Sequence, residues 1–219
     1  MRAQAIPTIR RGLYAITPDT LAEDPIRLLA ACAAALAGGA VLLQYRDKRS
    51  DASRREQNAV ALLALCRDHG ARLTINDDAG LAARIGADGV HLGASDGSLA
   101  AARALLGADA LIGASCGNAL ARAEAAIASG ASYVAFGRYF PSRTKPDAPP
   151  ASLDTLIAAR QALAVPLCAI GGITPDNGAP LVAAGADWLA AVDGLFGDGE
   201  PAGISRRARA YCALFAAAA

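Results

Sequence analysis

The sequence has few of the side chains that build metal clusters or redox sites. Its 219 residues include two His, one Met and five Cys, and no Cys-x-x-Cys pair occurs. The Cys, at positions 32, 66, 116, 168 and 212, are widely spaced and have no His partner. We therefore interpret them as small buried apolar residues in a reducing compartment, without disulfides.

The chain also lacks an excess of charge and a long apolar run. Charged residues make up 19% of it and the formal net charge is +1, so a nucleic-acid-binding face is not expected. The longest apolar run, residues 28–41, is rich in Ala and interrupted by Gly38 and Gly39. Neither it nor the N-terminus resembles a membrane span or a signal peptide. We expect a cytoplasmic protein that binds neither nucleic acid nor membrane.

What the sequence has is a regular alternation of short β-like runs with Ala/Leu-rich segments. Strands are predicted at residues 12–17, 40–45, 72–75, 89–92, 110–115, 132–136, 165–170 and 186–192. Helices are predicted at residues 25–37, 52–69, 79–85, 98–105, 119–128, 153–163 and 176–184. The strands are apolar throughout, as in a parallel sheet covered on both faces. The loop 146–151 and the Ala-rich tail are the segments interpreted as low in complexity.

A Gly-containing phrase recurs ahead of four strands, at residues 37–40, 85–88, 129–132 and 184–187. A Gly there fits the left-handed position that ends a helix. The recurring phrase and the alternation together indicate repeated βαβ units. Eight such units in about 200 residues predict a single-domain (β/α)8 TIM barrel, which is an α/β fold. A doubly wound sheet is the alternative, but no Gly-rich dinucleotide loop follows the first strand. Residues 1–11 are expected to form a mobile extension.

Barrel enzymes place their chemistry at the C-terminal ends of the strands. After the second strand, Gln44, Arg46 and Lys48 alternate, so they share one side of an extended chain. An exposed strand edge would explain them, but an amide and two cations aimed at one spot also suit a polyanion. Lys145, after the sixth strand, adds a further cation.

Carboxylates follow two other strands, at Asp77 and Asp96. Either could be a helix cap, but a converging pair suits Mg²⁺, which takes one or two carboxylates together with phosphate oxygens. Gly171 and Gly172 follow the seventh strand, where a turn or a second anion site at the start of the next helix is expected. His91 lies within a strand-like run, and a structural role is at least as good an interpretation as a catalytic one.

Eight motifs in a fixed order carry a resemblance that spans nearly the whole chain. They are GLYAITPD, QYRDK, INDD, GVHLG followed by Asp, IGASC, YVAFGRYFPSRTKP, PLCAIGGITPDN and AGADWLAAV. In this order they resemble the thiamine phosphate synthase family. The resemblance implies a (β/α)8 barrel and a Mg²⁺-dependent transfer that joins two small phosphorylated substrates. The pyrimidinylmethyl group would leave its diphosphate as a carbocation and be captured by the nitrogen of a thiazole phosphate.

The resemblance also implies roles for individual residues. Contacts to the pyrimidine diphosphate would come from Gln44, Tyr45, Arg46, Asp47, Lys48, Asn76, Ser115 and Lys145. Four of these, Arg46, Lys48, Ser115 and Lys145, are the expected catalytic residues. The thiazole phosphate would contact Ser142, Arg143, Thr144, Gly172, Val192 and Asp193. Asp77 and Asp96 would hold Mg²⁺, and Asp78 would be left to cap or support.

Three positions depart from the family pattern. Ala94 replaces a polar residue, Arg138 stands where many relatives have Pro, and Asp193 stands where Ser is common. A thiazole tautomerase on the same barrel is one alternative, which the paired Asp and the QYRDK cations argue against. A non-catalytic phosphate-ligand sensor is another, which only Asp193 invites. Residues 138–151 are expected to be the lid, because the loop is long and rich in Pro.

Overall fold

The computed structural model describes residues 9–142, 149–197 and 199–217. Eight parallel strands close into a barrel in chain order, with β8 paired to β1. The strands are β1 Gly12–Ile16, β2 Leu42–Tyr45, β3 Arg72–Asn76, β4 Gly89–Leu92, β5 Leu111–Gly117, β6 Tyr133–Phe136, β7 Leu167–Ile170 and β8 Trp188–Ala191. The predicted TIM barrel and its eight strands are confirmed.

Helices surround the barrel. They are α1 Pro25–Ala37, α2 Ala52–Asp68, α3 Ala79–Ile85, α4 Leu99–Leu106, α5 Leu120–Ala128, α6 Leu153–Ala162, α7 Ala179–Ala183, α8 Asp193–Phe196 and α9 Pro201–Ala216, with a short 3-10 helix at Asp19–Leu21. None of the described helices is long and apolar enough to cross a membrane. The helix α9 was missed, although Ile204, Ala208, Tyr211 and Phe215 are buried at helical spacing.

Residues that alternate along each strand fill two separate cores. On β1, Leu13 and Ala15 face outward into the layer between barrel and helices, while Tyr14 faces the barrel interior. The interior is filled mainly by large side chains from different strands, among them Tyr14, Tyr133 and Trp188. Because the strands are covered on both faces, they show no polar alternation in the sequence.

The Gly-containing phrase closes the lower end of the barrel, where the strands begin. Its glycines have the predicted positive φ, at Gly39 (105°), Gly86 (67°), Gly130 (101°) and Gly185 (103°). Two residues after the glycine, three copies carry a side-chain oxygen that accepts the amide of the first or second residue of the preceding strand. These bonds are Leu73 N to Asp88 (2.8 Å), Ile112 N to Ser132 (3.1 Å) and Leu167 N to Asp187 (2.8 Å). Each acceptor also contacts an Arg side chain, of Arg72, Arg103 and Arg160 respectively.

The start of the described chain is bound to this lower end. Trp188 Nε1 donates to the carbonyl of Arg10 at 3.0 Å, and Arg11 donates to Ala186 O at 2.9 Å. Arg11 also lies 3.6 Å from Asp187 and over the ring of Phe215. Arg10 and Arg11 therefore contact the barrel, whereas the expected mobility of residues 1–11 stays a prediction; residues 1–8 lie outside the described part of the chain.

Candidate functional site

The upper end of the barrel, where the strands finish, gathers the side chains of the QYRDK segment. Gln44 points inward, and its Nε2 donates to the hydroxyl of Tyr14 at 2.8 Å. The guanidinium of Arg46 pairs with Asp19, and Lys48 Nζ lies 3.3 Å from Asp77 Oδ2. The predicted alternation thus places an amide and two cations on the mouth side of the strand.

Asp19, which was not among the predicted site residues, organises this segment. Besides pairing with Arg46, its carboxylate accepts the backbone N–H of Lys48 at 3.0 Å. Thr17 adds to the same junction, because its hydroxyl donates to Arg46 O at 2.9 Å and accepts Arg46 N at 2.8 Å. The signal was available: Asp19 follows a strand end, as the other candidate residues do.

Tyr45 and Asp47 point to the other side of the chain from Gln44, Arg46 and Lys48. The ring of Tyr45 is buried in the barrel–helix layer, where its hydroxyl donates to Asp47 Oδ2 (2.8 Å) and accepts from Asn58 (3.2 Å). Burial raises the pKa of Asp47, but the N–H groups of Ser50 and Arg49 and the Tyr45 hydroxyl outweigh it, so the pKa is lowered overall. We infer that Tyr45 and Asp47 brace the loop; Asp47 also lines a cleft described below.

Asp77 and Asp96 are brought together from the ends of β3 and β4. Burial and the neighbouring carboxyl group of Asp96 together raise the pKa of Asp77, so the two acidic side chains lie close enough to interact. The backbone of Asp77 adopts a left-handed conformation (φ 64°) that residues with a Cβ rarely take. Asp96 Oδ2 also accepts Gly93 N at 2.8 Å, which fixes it toward its neighbour. Two acidic groups are thus held in contact, at a cost to the backbone.

Asp78, the second of the two acidic residues in the INDD motif, caps a helix. Asp78 Oδ1 accepts the backbone N–H of Leu81 at 2.7 Å, at the start of α3. Asn76 remains at the strand end and lines the mouth. The three polar side chains therefore divide their tasks as expected: Asp78 starts a helix, while Asn76 and Asp77 face the mouth.

The donor set at Asp77 and Asp96 fits a hard divalent cation. The described residues contain no group of three or more His, Cys, Asp or Glu that could enclose a metal. Mg²⁺ does not need one, because it binds through one or two carboxylates and takes the remaining ligands from water and substrate phosphate. Burial and the neighbouring Asp96 together raise the pKa of Asp77, and a cation between the two carboxylates would oppose both effects.

A cleft of about 620 Å³ opens beside this pair, on the β2–β4 side of the mouth. Its volume is in the range of ligand-binding pockets. The polar lining is Asp47, Lys48, Arg55, Asn76, Asp77 and Asp96, among others, and the apolar lining includes Leu92, Ala102 and Leu105. The site therefore offers carboxylates, cations and an apolar wall within one cleft.

Ser115, the predicted contact on β5, is held from inside the barrel. Its Oγ lies 2.9 Å from Nε2 of His91, and Nδ1 of His91 lies 2.9 Å from the hydroxyl of Tyr133. His91 is only 8% exposed. From the sequence, His91 was open between a structural and a catalytic role. In the structure it shares one hydrogen-bond network with Tyr133, Gln44 and Ser115.

The loops after β7 and β8 meet at the other side of the mouth. Gly171 (φ 104°) and Gly172 (φ 65°) need positive φ, and a Cβ on Gly172 would lie 2.3 Å from Pro141 O. The loop after β8 lies against the loop after β7, because a Cβ on Gly194 would meet the carbonyl of Ile173 at 2.2 Å. Gly172, Val192 and Asp193, predicted to share a phosphate site, are therefore on adjacent loops.

One expectation about these loops is wrong. Thr174 and Pro175 do not open a helix. Asn177 instead closes a turn, accepting Thr174 N at 2.8 Å and donating to Gly172 O at 3.1 Å. The helix α7 starts only at Ala179. The side chain of Asn177 therefore satisfies the N–H of Thr174 and the C=O of Gly172 within the loop.

The loop after β6 contains four of the predicted contacts. Ser142 is described and half-buried, whereas Arg143, Thr144 and Lys145 lie outside the described residues. The two ends of the expected lid are joined, since Ala151 N donates to Arg138 O at 2.7 Å.

Comparisons with known proteins agree with one another. A family model described as thiamine monophosphate synthase matches residues 13–195. A thiamine-phosphate synthase of Chromobacterium violaceum is 56% identical over 92% of this chain and 96% of its own length. A thiamine phosphate pyrophosphorylase from Pyrococcus furiosus has 27% identity and a TM-score of 0.84, covering 94% of this chain and 96% of its own. One from Bacteroides thetaiotaomicron (16% identity, TM-score 0.67, covering 93% and 96%) shares the fold.

Proposed function

The chain belongs to the thiamine monophosphate synthase family and is a transferase, and we propose a specific reaction for it. The pyrimidinylmethyl group passes from its diphosphate to the ring nitrogen of hydroxyethylthiazole phosphate. The products are thiamine phosphate and diphosphate. The carbon–oxygen bond breaks first, the electron pair leaves with the diphosphate, and the thiazole nitrogen then supplies the pair that forms the new carbon–nitrogen bond.

Such a step requires charge stabilisation rather than a nucleophile in the protein. Negative charge builds up on the leaving diphosphate, and Arg46 and Lys48 are described cations that follow β2 at the upper end of the barrel. Asp19 holds Arg46 in place, so the guanidinium is oriented before substrate binds. Lys48 is 55% exposed, and its ammonium group can exchange Asp77 for a phosphate oxygen. Lys145 is proposed as a further cation in the same role.

Asp77 and Asp96 are the residues proposed to hold Mg²⁺. Bound there, the ion would supply positive charge that neutralises diphosphate oxygens. The support is the geometry of the pair: two carboxyl groups in contact, with a raised pKa at Asp77, have a strong electrostatic preference for a cation between them. Asn76 and Ser115 add uncharged hydrogen-bonding groups, and Gln44 completes the proposed pyrimidine diphosphate set.

The second substrate is placed at the loops after β6, β7 and β8. We assign its phosphate to Ser142, Arg143, Thr144, Gly172, Val192 and Asp193, as expected from the family pattern. Gly172 supports this because its backbone conformation excludes side chains with a Cβ. Asp193 is the unusual member, because a carboxylate repels a phosphate unless it turns away or is protonated.

The observation that carries the proposal is the contact between Asp77 and Asp96 beside Lys48. We would test it by supplying both phosphorylated substrates and measuring thiamine phosphate as its fluorescent oxidation product, with and without Mg²⁺. We expect product from the wild type only with Mg²⁺, and none from Asp77→Ala. A matched control is Asp78→Asn at the neighbouring position. Because Asn also caps helices, we expect this variant to remain active.

Absence of product from folded wild-type protein would contradict the proposal and favour the tautomerase or the sensor. Equal rates with and without Mg²⁺ would contradict only the assignment of Asp77 and Asp96 as Mg²⁺ ligands, and would leave the proposed reaction in place.

A further inference from the structure

A continuous chain of hydrogen bonds crosses the interior of the barrel, and it links two residues of the proposed diphosphate site. Gln44 Nε2 donates to Tyr14 OH (2.8 Å), which lies 2.8 Å from Tyr133 OH. Tyr133 OH lies 2.9 Å from His91 Nδ1, and His91 Nε2 lies 2.9 Å from Ser115 Oγ. The chain therefore starts on β2 and ends on β5, with its middle buried.

Packing prevents these rings from rotating. Tyr133 makes edge contacts with Tyr14 and Trp188, with ring centroids 6.1 and 5.2 Å apart. A Cβ on Gly113 would lie 2.3 Å from Tyr133 OH and 2.4 Å from His91 Nδ1, so the absence of a side chain there leaves the room in which the two groups meet. The contact is thus built by three strands, β4, β5 and β6.

A neutral imidazole donates at one nitrogen and accepts at the other. The bonds of His91 to Tyr133 and Ser115 can therefore be arranged in two ways. In the first, Tyr133 donates to Nδ1, and Nε2–H donates to Ser115. The Ser115 hydroxyl hydrogen is then available to the mouth. In the second, Ser115 donates to Nε2, Nδ1–H donates to Tyr133, and only lone pairs of Ser115 face the mouth.

Chemistry favours the first arrangement. A phenol is more acidic than an aliphatic alcohol, so Tyr is the stronger donor to an imidazole nitrogen, and Ser is the better acceptor. Burial raises the pKa of Tyr133 well above its ordinary value and that of Tyr14 to about 12, so both phenols keep their hydrogens. The network can extend consistently, because Thr74 Oγ1 lies 2.6 Å from Tyr14 OH and can donate to it.

We propose that Tyr133 holds His91 in the tautomer with its hydrogen on Nε2, so that His91 donates to Ser115 and Ser115 turns its own hydrogen toward the substrate anion. His91 and Tyr133 are positioning residues for the reaction. This assignment of their role rests on the proposed function, whereas the tautomer itself does not. An anionic leaving group needs a donor at Ser115, and the second arrangement would offer it lone pairs instead.

The tautomer can be measured without any activity. The chain has only two His, so isotope-labelled histidine gives two imidazole signals, and His69→Gln assigns them. We expect the nitrogen chemical shifts and ring-proton couplings of His91 to show hydrogen on Nε2 in the substrate-free protein. Hydrogen on Nδ1, an even mixture of tautomers or a doubly protonated ring would each overturn the proposal, whatever the enzyme assay shows.

Kinetics test whether His91 acts through Ser115. We expect Ser115→Ala and His91→Asn each to lower kcat by about 10- to 100-fold, the worth of one hydrogen bond to a charged group, with a much smaller change in KM. The double variant should be no worse than Ser115→Ala within about twofold, since contacting residues in one chain are not additive. Losses that multiply would contradict the proposed coupling.

A conservative variant separates positioning from packing. Gln at residue 91 places an amide donor near the position of Nε2, whereas Asn is too short to reach Ser115. His91→Gln should therefore keep more of kcat than His91→Asn, with circular dichroism and thermal unfolding confirming that both are folded. Equal losses in two folded variants would show that only the volume of His91 matters. If the wild-type protein is inactive but its His91 carries the hydrogen on Nε2, the proposed function is refuted and the proposed tautomer is not.

Discussion

At the lower end of the barrel, Asp88 and Asp187 expose 20% and 22% of their side chains, and at the upper end Asp77 exposes 27%. Exposure is thus similar, but the partners differ. Each lower carboxylate accepts a strand amide and pairs with an Arg. Asp77 is in contact with another carboxyl group, that of Asp96.

The comparison teaches what each end of the barrel is for. Lower carboxylates have complete sets of donors, so they stabilise the fold. The upper pair is held together by the left-handed backbone of Asp77 and by the bond from Gly93 N to Asp96, and we propose that a charged ligand completes it. Removing charge should therefore cost activity at the upper end and stability at the lower end.

The largest expected effect comes from Asp77→Asn. Asn tolerates the left-handed backbone of residue 77, so the change removes charge without adding strain. We expect kcat/KM to fall by about 100- to 1,000-fold, the usual cost of one electrostatic contributor, while the thermal midpoint stays unchanged or rises because the repulsion is relieved. Steady-state kinetics and calorimetry check both. A marked loss of stability would break the comparison.

The second largest effect is expected for Asp19→Ala. The carboxylate of Asp19 lies at the upper end but accepts hydrogen bonds from Arg46 and from Lys48 N. Removing it frees the guanidinium of Arg46 and leaves Lys48 N without its acceptor. We expect kcat/KM to fall by about 10- to 100-fold, because a prepositioned cation becomes mobile. Asp19→Asn should retain part of the activity, since its amide oxygen can still accept Lys48 N. Full activity in Asp19→Ala would show that Arg46 needs no orientation.

At the lower end, Asp187→Ala should lower stability by about 2 kcal/mol, because the amide of Leu167 and the guanidinium of Arg160 lose an acceptor. For a chain of this length the thermal midpoint should fall by about 4–8 °C. The kcat of the folded variant should equal that of the wild type. A selective loss of kcat would show that the two ends are not separable.

The smallest expected effect is that of Arg72→Ala. Its ion pair with Asp88 is 2.7 Å long, but the Arg side chain is 53% exposed, so we expect a cost below about 1 kcal/mol that shrinks further in high salt. Asp88→Ala should cost more, because Leu73 N then loses its acceptor. Denaturant unfolding of the two variants distinguishes the ion pair from the amide bond.

Much of the fold was readable from the sequence because the (β/α) units repeat. Apolar runs, helical segments and left-handed Gly recur, and each copy reinforces the prediction from the others. Two predictions about helices were wrong: where the helix after β7 starts, and the absence of a helix near the C-terminus. Asn177 closed a turn where a helix was expected to start, and α9 presented its buried stripe inside an Ala-rich stretch.

The candidate site was predictable as residue types at strand ends, but not as partners. That Gln44 and Tyr45 face opposite sides followed from the alternation of a strand. The cap at Asp78 was expected, but that Asp19 would hold Arg46 depended on where neighbouring strands placed their ends.

By itself the sequence determined the barrel and the residue types that follow each strand, and from these it predicted the end at which chemistry occurs. Local periodicity and strand order contain that information. The tertiary structure alone decided that Tyr14, His91, Tyr133 and Ser115 form one chain of hydrogen bonds, because they lie on four strands separated by up to 119 residues. Only closure of the barrel, which fixes the register of all eight strands, brings their polar atoms within bonding distance.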